Sequence, residues 1–347
     1  MFKWCSRKML KGSLLCLSLS TGLTPVLAES TPYLQRETVQ AFIDNMVAEH
    51  DYDRDVLVDL FANAKRQQNV LDAIAKPAER KLTWKGYRPI FMKEDRITQG
   101  VKFWNDYRSW LDRAEATYGV PPEMIVAIIG VETKYGQYKG KHPVLDSLIT
   151  LGFDRERRSD FFRSELEAFL VLTRDEQRDP TEIRGSYAGA MGMPQFISSS
   201  YQAYAVDFDN SGVRDLWDSP ADAIGSVANY FARHGWQEGA PVVSKAALRG
   251  QPSAQLQPLA VGRGRKGLKP NTTVAELQQL GLTPTPALPA QSKATLLAME
   301  LEPEKYEYWI GLPNFYVITR YNHSSMYALA AYQLSQAIKE RYEASRS

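Results

Sequence analysis

The 347 residues include 42 basic and 40 acidic side chains, and this near balance gives no indication of a nucleic-acid-binding or polybasic membrane-binding protein. A chain of this length can form two or three domains. Its 2 cysteines, Cys5 and Cys16, both lie near the N-terminus, so we expect neither a disulfide nor a cysteine nucleophile in the folded protein.

The N-terminal segment has the pattern of a secretory signal peptide. Four basic residues precede an apolar stretch over 14–23, and small residues up to Ala28 offer a cleavage point. Cleavage there removes 4 of the 42 basic residues and none of the 40 acidic ones, which changes the net charge from +2 to −2. We expect export to the periplasm. A lipid anchor on Cys16 is less favoured, because bulky Leu15 precedes it where lipoprotein signals have a small residue.

Apolar residues recur at helical spacing along most of the chain. The pattern predicts helices within 31–80, over 100–118, from Pro121 to Glu132, over 159–175 and over 220–234. Residues 238–318 instead contain frequent Pro and Gly and short β-branched runs, and Tyr306 to Arg320 has an extended pattern. A last helix is predicted from Ser325 to Arg341. The predicted fold class is mainly α, of the α+β type, with a small β-containing subdomain inserted.

One acidic residue lies at the end of the most apolar predicted helix. Ile125, Ile128 and Glu132 are spaced so that they share one helix face. A carboxyl group there loses hydration in its charged form and lies near the negative end of the helix dipole, and both effects raise its pKa. Glycosidic cleavage needs such a protonated carboxyl group. On spacing alone, however, an ordinary helix-end glutamate, exposed or paired with Lys134, is the favoured interpretation.

Three motifs that follow one another along the chain favour a catalytic role for Glu132 instead. They are Glu132-Thr133-Lys134-Tyr135-Gly136, the glycine-rich run from Gly185 to Phe196, and the segment from Asp222 to Phe231. The motifs resemble the E-T-x-x-G, G-S-x-A-G-A-M-G-x-x-Q-F and D-A-I-x-S-V-A-N-Y signatures of lysozyme-superfamily lytic transglycosylases. With His234-Gly235-Trp236 and Arg320 to His323 following, the chain is similar to the membrane-bound lytic transglycosylase B family. One departure is Ser198, which stands where the family usually has proline.

The resemblance implies an enzyme that cleaves the β-1,4 bond between MurNAc and GlcNAc of peptidoglycan and leaves 1,6-anhydro-MurNAc ends. Glu132 is implied as the sole catalytic acid and base, with no cofactor for the chemical step. The implied partners are peptidoglycan glycan strands and other cell-wall enzymes, and the chain is expected to be a monomer. The residues implied to line the glycan groove are Tyr87, Arg157, Arg158, Ser186, Gln195, Tyr230, Tyr321, Asn322 and Tyr327.

The resemblance also predicts the domain organisation. After the signal peptide over 1–28, residues 29–115 are expected to form a helical domain that the C-terminal helix 325–345 completes. A lysozyme-like catalytic core follows over 116–237, then the small β-rich subdomain over 238–318. Residues 319–347 return to the core and end in the last helix.

A second motif predicts a calcium site. Residues 207–215 have the EF-hand spacing, with oxygen-bearing side chains at positions 1, 3, 5 and 9 and glycine at position 6, although Asp218 replaces the closing glutamate. The resembled family closes its calcium loop with the aspartate of the D-A-I motif. The predicted ligands of a structural Ca²⁺ are Asp207, Asp209, Ser211, the backbone carbonyl of Val213, and Asp222. An acidic turn without a metal is the alternative.

Other functions stay open on the residues alone. A hydrolytic muramidase would pair Glu132 with a second carboxylate, and a non-catalytic peptidoglycan-binding scaffold would not need Glu132. Acidic residues near it in sequence are Asp146, Asp154, Asp175 and Glu176. Gly262–Gly267 matches G-x-G-x-x-G but does not open a helix, so a surface turn is predicted there. The 4 histidines lack H-E-x-x-H spacing, which argues against a zinc peptidase.

Overall fold

The computed structural model describes residues 33–75, 82–250, 256–261 and 268–346, so the predicted signal peptide and the Gly262–Gly267 turn lie outside the described residues. The α-helices in these ranges are α1 Glu37–His50, α2 Arg54–Asn63, α3 Gln68–Ala75, α4 Trp84–Phe91, α5 Glu94–Asp106, α6 Arg108–Tyr118, α7 Pro122–Thr133, α8 Val144–Phe153, α9 Ser159–Asp175, α10 Ser198–Tyr204, α11 Pro220–Arg233, α12 Leu256–Leu259, α13 Val274–Gln279, α14 Pro313–Tyr321 and α15 Ser325–Ala344. The strands are β1 His142–Pro143, β2 Arg184–Gly185, β3 Val243–Leu248, β4 Ala260–Val261, β5 Thr272–Thr273, β6 Leu282–Thr285, β7 Lys293–Glu302 and β8 Lys305–Gly311. The predicted class, mainly helical with a small sheet, is confirmed. None of the described helices combines the length and the apolar composition needed to cross a membrane.

Helix α7 is almost entirely buried. Pro122 occupies its first turn, where the missing N–H is not needed, and almost every residue from there to Gly130 is buried. The helix ends because Lys134 adopts a left-handed conformation, with φ of 50°, and its N–H donates to the carbonyl of Gly130 over 3.1 Å. Glu132 therefore lies in the last turn of a helix that the core holds on all sides.

Two of the predicted elements differ from those observed. The extended pattern predicted from Tyr306 to Arg320 holds only as far as Gly311, because Pro313 then opens helix α14. Phe315 and Ile318 of that helix are fully buried at i, i+3 spacing, so a helical period was hidden among aromatic and β-branched residues. The single helix predicted over 100–118 is two helices, which separate at Tyr107, where φ is −118°.

Residues 243–311 contain a sheet with strand order β4-β7-β8-β3-β6, and β5 pairs with the N-terminal end of β7. All pairings are antiparallel except β4 with β7. Helix α13 begins with a capping box formed by Thr273 and Glu276, and it packs on this sheet with Leu277 buried. The sheet thus forms its own small apolar cluster.

Two larger apolar clusters make up the rest of the molecule. The first contains the buried residues of α4–α7, α14 and α15, and the second contains those of α1–α3 and α8–α10. Helix α11 contributes to both, and Tyr321 packs against both. Helices α1–α3 and α4–α6 therefore lie in different clusters, although the sequence analysis grouped them as one domain. The predicted domain boundaries stay a prediction.

Candidate active site

The carboxylate of Glu132 lies in a half-buried position at the end of α7 and receives a hydrogen bond from a buried tyrosine. The hydroxyl of Tyr327, on α15, donates to Glu132 Oε1 over 2.5 Å. Lys134 forms an ion pair with Asp95, at 2.9 Å. Glu132 is therefore held by the protein interior and does not extend into bulk solvent.

Two of the predicted groove tyrosines, Tyr321 and Tyr327, lie close to this carboxylate, and a third, Tyr87, lies close to Tyr327. Tyr327 is only 3 % exposed, and burial, followed by the charge of Glu132, raises its pKa well above the usual value. Burial and the charge of Glu132 also raise the pKa of Tyr321, and Tyr87 lies close enough to Tyr327 to act on its pKa in the same direction. The hydroxyls of Tyr321 and Tyr327 consequently stay protonated near neutral pH and act as donors.

The glycine-rich loop over 185–196 is fixed next to Glu132 by three side chains. Thr133 Oγ1 donates to the carbonyl of Met193 over 2.9 Å, and the Tyr321 hydroxyl donates to that of Pro194 over 2.5 Å. Gln195, at φ of 52°, donates through Nε2 to the carbonyls of Gly192 at 2.9 Å and Lys139 at 3.2 Å. These bonds join the loop to the residue after Glu132 and to α14.

Ser186 shapes the other end of that loop. Its Oγ accepts from the N–H groups of Ala188, at 3.3 Å, and Ala190, at 3.0 Å. The preceding Gly185 pairs with His142 in the two-stranded sheet β1–β2. Ser186 and Gln195 are therefore brought to the same loop, each with hydrogen bonds that set the loop's conformation.

Tyr230 of α11 packs against Tyr321 of α14, and Asn322 follows Tyr321 in the chain. Tyr230 donates to the carbonyl of Arg320 over 2.7 Å, and its ring centroid is 4.8 Å from that of Tyr321 and 4.1 Å from that of His234. Asn322 follows as the C-terminal cap of α14. Of the predicted residues, Tyr87 therefore lies on α4, Tyr230 on α11, Tyr321 and Asn322 at the end of α14, and Tyr327 on α15.

Arg157 and Arg158 lie in an exposed turn between α8 and α9. Arg158 has φ of 65°, and its guanidinium carbon lies 4.1 Å from the centroid of the Phe161 ring. The carbonyl of Arg157 accepts from Arg155 over 2.7 Å. The place of both arginines in a glycan groove stays a prediction.

The residues considered as a second catalytic carboxylate are occupied elsewhere. Asp146 accepts from the backbone N–H of Lys65, at 3.0 Å, and Asp154 accepts from Tyr33 and from Arg36, both at 2.6 Å. In addition, Glu176 pairs with Arg214, and Asp175 pairs with Arg174. These acids are engaged by partners of their own, which argues against a two-carboxylate hydrolytic site built from them.

The predicted calcium ligands form a compact group of oxygens. Carboxylate oxygens of Asp207, Asp209 and Asp222 lie within 4.8 Å of one another, and Ser211 Oγ is 3.2 Å from the carbonyl oxygen of Val213. Asp222 is fully buried, and burial raises its pKa, although backbone N–H groups donate to it and the charge of Asp209 adds to the increase. Hard oxygen donors around a buried acid fit a Ca²⁺ ion.

The ninth position of the loop differs from the EF-hand pattern. The Asp215 carboxylate accepts from the backbone N–H groups of Trp217, at 2.8 Å, and Asp218, at 3.0 Å, and lies 3.2 Å from Arg178. It therefore stabilises the following turn. Asp222 takes its place in the oxygen cluster.

Sequence reasoning did not identify two residues that position the site. Thr133 was part of the first motif, but its bond to Met193 depends on a loop 60 residues away. Lys139 holds the turn after α7, because its ammonium group donates to the carbonyl of Trp217 over 2.7 Å and to Asp218 over 2.9 Å. No sequence pattern indicated the contacts of Lys139 with Trp217 and Asp218.

Comparison with known proteins identifies the family to which the sequence is similar. Residues 34–336 match the family described as the transglycosylase SLT domain. The chain is 44% identical over 317 residues to membrane-bound lytic murein transglycosylase B of Escherichia coli (strain K12), which covers 88% of this chain and 84% of that protein.

Solved structures are similar over the same length. The soluble lytic transglycosylase SltB1 from Pseudomonas aeruginosa is 47% identical, with 88% of this chain and 99% of that chain covered and a TM-score of 0.81. The Escherichia coli lytic transglycosylase Slt35 in complex with calcium is 46% identical, with 87% and 93% covered and a TM-score of 0.78. SltB3 from Pseudomonas aeruginosa in complex with NAG-anhNAM-pentapeptide is 29% identical, with 89% and 80% covered and a TM-score of 0.75. The chain therefore belongs to the transglycosylase SLT domain family and is a lytic murein transglycosylase, an enzyme that cleaves the glycan strands of peptidoglycan.

Proposed function

We propose that Glu132 is the sole catalytic acid and base of this transglycosylase, and that it acts on the β-1,4 bond between MurNAc and GlcNAc to leave 1,6-anhydro-MurNAc ends. The observation that supports the proposal best is the 2.5 Å hydrogen bond from Tyr327 to Glu132 at the end of a buried helix. It orients a carboxyl group beside a loop held by Thr133 and Tyr321. The engagement of the other nearby acids elsewhere supports a mechanism with one carboxylate.

The reaction proceeds in two proton transfers through the same residue. Glu132 first donates its proton to the glycosidic oxygen, so that the GlcNAc leaves as an alcohol while positive charge develops at C1 of MurNAc. The resulting carboxylate, stabilised by the Tyr327 hydroxyl, then accepts the proton of the MurNAc 6-hydroxyl as that oxygen bonds to C1. The proton returns to Glu132, and water is not consumed.

The surrounding residues bind and orient the glycan in this proposal. Tyr87, Tyr230 and Tyr321 offer aromatic and hydroxyl surfaces to the sugars, and Asn322, Ser186 and Gln195 border them. Arg157 and Arg158 remain candidates for the carboxylates of the attached peptide.

A structural Ca²⁺ would be held by Asp207, Asp209, Ser211, the carbonyl of Val213, and Asp222. When bound, it neutralises acidic oxygens that otherwise repel one another, and it ties the loop to the first turn of α11, on which Asp222 lies. The complex of the related Slt35 with calcium supports this assignment. The ion takes no part in the proton transfers proposed for Glu132.

Export by a cleaved signal peptide to the periplasm follows from the N-terminal pattern and matches the location of the substrate. The proposed partners are peptidoglycan glycan strands and other cell-wall enzymes, with the chain acting as a monomer.

Product analysis and one variant test the mechanism. Digested sacculi analysed by mass spectrometry should yield muropeptides that are lighter by one water molecule than the products of a muramidase. Glu132→Gln should abolish cleavage while sacculus binding is retained, which would also exclude a non-catalytic scaffold as the whole function. Glu115→Gln, the same kind of change at an exposed residue of α6, serves as the control and should keep wild-type activity. Hydrolysed MurNAc ends, which contain the added water, would contradict the proposal. Undiminished cleavage by Glu132→Gln would also contradict it.

A further inference from the structure

A cavity of about 460 Å³ lies between α4, the sheet and α15, separate from the contacts around Glu132. We call it the α4 pocket. Its charged and aromatic lining comprises Trp84, Lys85, Arg88, Lys245, Glu307 and Trp309. Three cations and one acid meet there, so the pocket favours an anionic ligand.

The single acid of the α4 pocket is already saturated by donors. Both indole N–H groups donate to Glu307 Oε1, from Trp309 over 2.7 Å and from Trp84 over 3.3 Å, and Lys245 donates to Oε2 over 3.0 Å. Burial on its own would raise the pKa of Glu307, but these donors and the Lys245 charge leave it lowered. Glu307 is therefore ionised and compensated by Lys245, so it does not repel an incoming anion as an isolated carboxylate would.

Arg88 is the cation of the pocket that remains for a ligand. Lys85 pairs with Glu302 at 2.7 Å and Lys245 pairs with Glu307, whereas Arg88 forms no salt bridge with any described residue. Its Nε donates to the neutral Gln333 Oε1 over 2.5 Å. That bond fixes the guanidinium and leaves its two terminal nitrogens, which suit the bidentate binding of a carboxylate.

The pocket is lined by α15, whose Tyr327 contacts Glu132, and by α4, whose Tyr87 lies close to Tyr327. Tyr87 lies beside Arg88 in sequence on α4, and Tyr327, which donates to Glu132, lies six residues before Gln333 on α15. Six residues of helix correspond to about 9 Å. A short peptide attached to a sugar near Glu132 can span such a distance, because an extended chain advances about 3.3 Å per residue.

From this geometry we infer that the α4 pocket binds the stem peptide of the peptidoglycan strand, with Arg88 holding a peptide carboxylate. The inference rests on the proposed function, because the strand must lie at Glu132 for its peptide to reach the pocket. Stem peptides are short and have free carboxylates. The indole of Trp309 and the ring of Pro89 offer apolar surface to their side chains.

Kinetics on two substrates test the inference. We compare glycan strands that retain their stem peptides with strands from which an amidase has removed them. In Arg88→Gln, the ratio of kcat/KM for peptide-bearing strands to kcat/KM for stripped strands should fall about tenfold, the loss of one charge-assisted bidentate contact. Arg249→Gln, which removes an equal charge from an exposed position at the end of β3, should keep the wild-type ratio. An unchanged ratio in Arg88→Gln would overturn the inference.

A second variant and a binding measurement guard against indirect effects. Gln333→Leu removes the oxygen that orients Arg88 and should lower the ratio less than Arg88→Gln. Calorimetric titration with the peptides released by the amidase should show binding to the wild type that weakens about tenfold in Arg88→Gln. Absence of peptide binding to the wild type would overturn the inference. Failure of the proposed function is distinguishable, because it would appear as cleavage of both substrates by Glu132→Gln.

Discussion

The 2.5 Å contact between Tyr327 and Glu132 combines a donor whose pKa is raised by burial with the proposed acid of the reaction. The hydrogen bond is strongest when Glu132 is ionised, which is its state between the two proton transfers. Tyr327 therefore acts on the step that creates and consumes the carboxylate. We expect Tyr327 to contribute less to the affinity for the glycan strand.

Tyr327→Phe should lower kcat by about ten- to hundredfold, the equivalent of one hydrogen bond to a charged group, with little change in KM. The ring stays and fills the same buried volume, so the free energy of unfolding should change little. Steady-state kinetics on isolated glycan strands would measure the effect. Tyr321→Phe is the control, because its hydroxyl donates to the backbone of Pro194 and its loss should act on the loop and raise KM. Equal losses of kcat in both variants would contradict this division.

The sequence predicted a role for individual residues where a local pattern indicated one. Glu132 follows from an apolar helix and the E-T-x-x-G motif, and Asp207 and Asp209 follow from loop spacing. The partnership of Tyr327 with Glu132 spans 195 positions, and the two residues are brought together only by the packing of α15 on α7. Family resemblance indicated Tyr327 as a groove residue, but no local pattern could indicate its hydrogen bond to the acid.

Among the elements, a close backbone approach occurs beside the two-stranded sheet β1–β2, where Gly140 lies against Gly185. Gly140 has φ of 96°, and a Cβ built on it would lie 2.1 Å from the carbonyl carbon of Gly185 and 2.6 Å from the N of Ser186. The glycine-rich loop starts at this contact. Its position therefore depends on the absence of a side chain at residue 140.

Gly140→Ala should lower the free energy of unfolding by about 2–4 kcal/mol, from overpacking together with a left-handed backbone. The loop over 185–196 must shift, so kcat/KM should fall about tenfold or more even in the folded fraction. Chemical denaturation and strand-cleavage kinetics measure the two effects.

Gly235→Ala is the matched control for backbone strain, because Gly235 has φ of 86° but a Cβ there would meet nothing within 4 Å. It should cost about 1 kcal/mol of stability and leave kcat/KM near the wild-type value. If Gly140→Ala behaved like Gly235→Ala, the close approach to Gly185 would not govern the loop.

Elements were predictable where apolar spacing and helix-start signals agreed. Pro121 and Pro122 marked the start of α7, and the structure begins the helix there. The extended structure predicted for Tyr306 to Arg320 was wrong after Gly311. Aromatic and β-branched residues are typical of strands, but burial between α15 and the end of β8 favours a helix after Pro313. The break at Tyr107 had no glycine or proline to signal it.

At the scale of the whole molecule, the site lies where the two large apolar clusters meet. Glu132 and Tyr327 belong to elements of the first cluster, whereas Phe196 and Tyr230 belong to the second. Periodicity in sequence identifies buried faces but does not say which faces pack together. For this reason α1–α3 were grouped with their sequence neighbours, although they pack on α8 and α9.

The loop over 207–215, which we propose binds calcium, crosses the same boundary. Phe208 is buried in the first cluster and Leu216 in the second, and the backbone N–H groups of Phe208 and Asp215 both donate to Asp222, at 2.7 Å. An ion that holds this loop should therefore stabilise the junction of the clusters as well as the loop itself.

Adding Ca²⁺ to the chelated protein should raise the free energy of unfolding by about 2.7 kcal/mol at a concentration 100 times the Kd, because the ion binds the folded state. Calorimetric scans in EGTA and in excess Ca²⁺ measure the effect. Asp209→Asn should lose the increment, whereas Asp218→Asn, an exposed acid outside the oxygen cluster, should keep it. Because the loop joins both clusters, the ion should raise the Tm of one common transition. A wild-type Tm that is equal in EGTA and in Ca²⁺ would contradict the assignment, and an increase confined to one of two separate transitions would contradict the coupling.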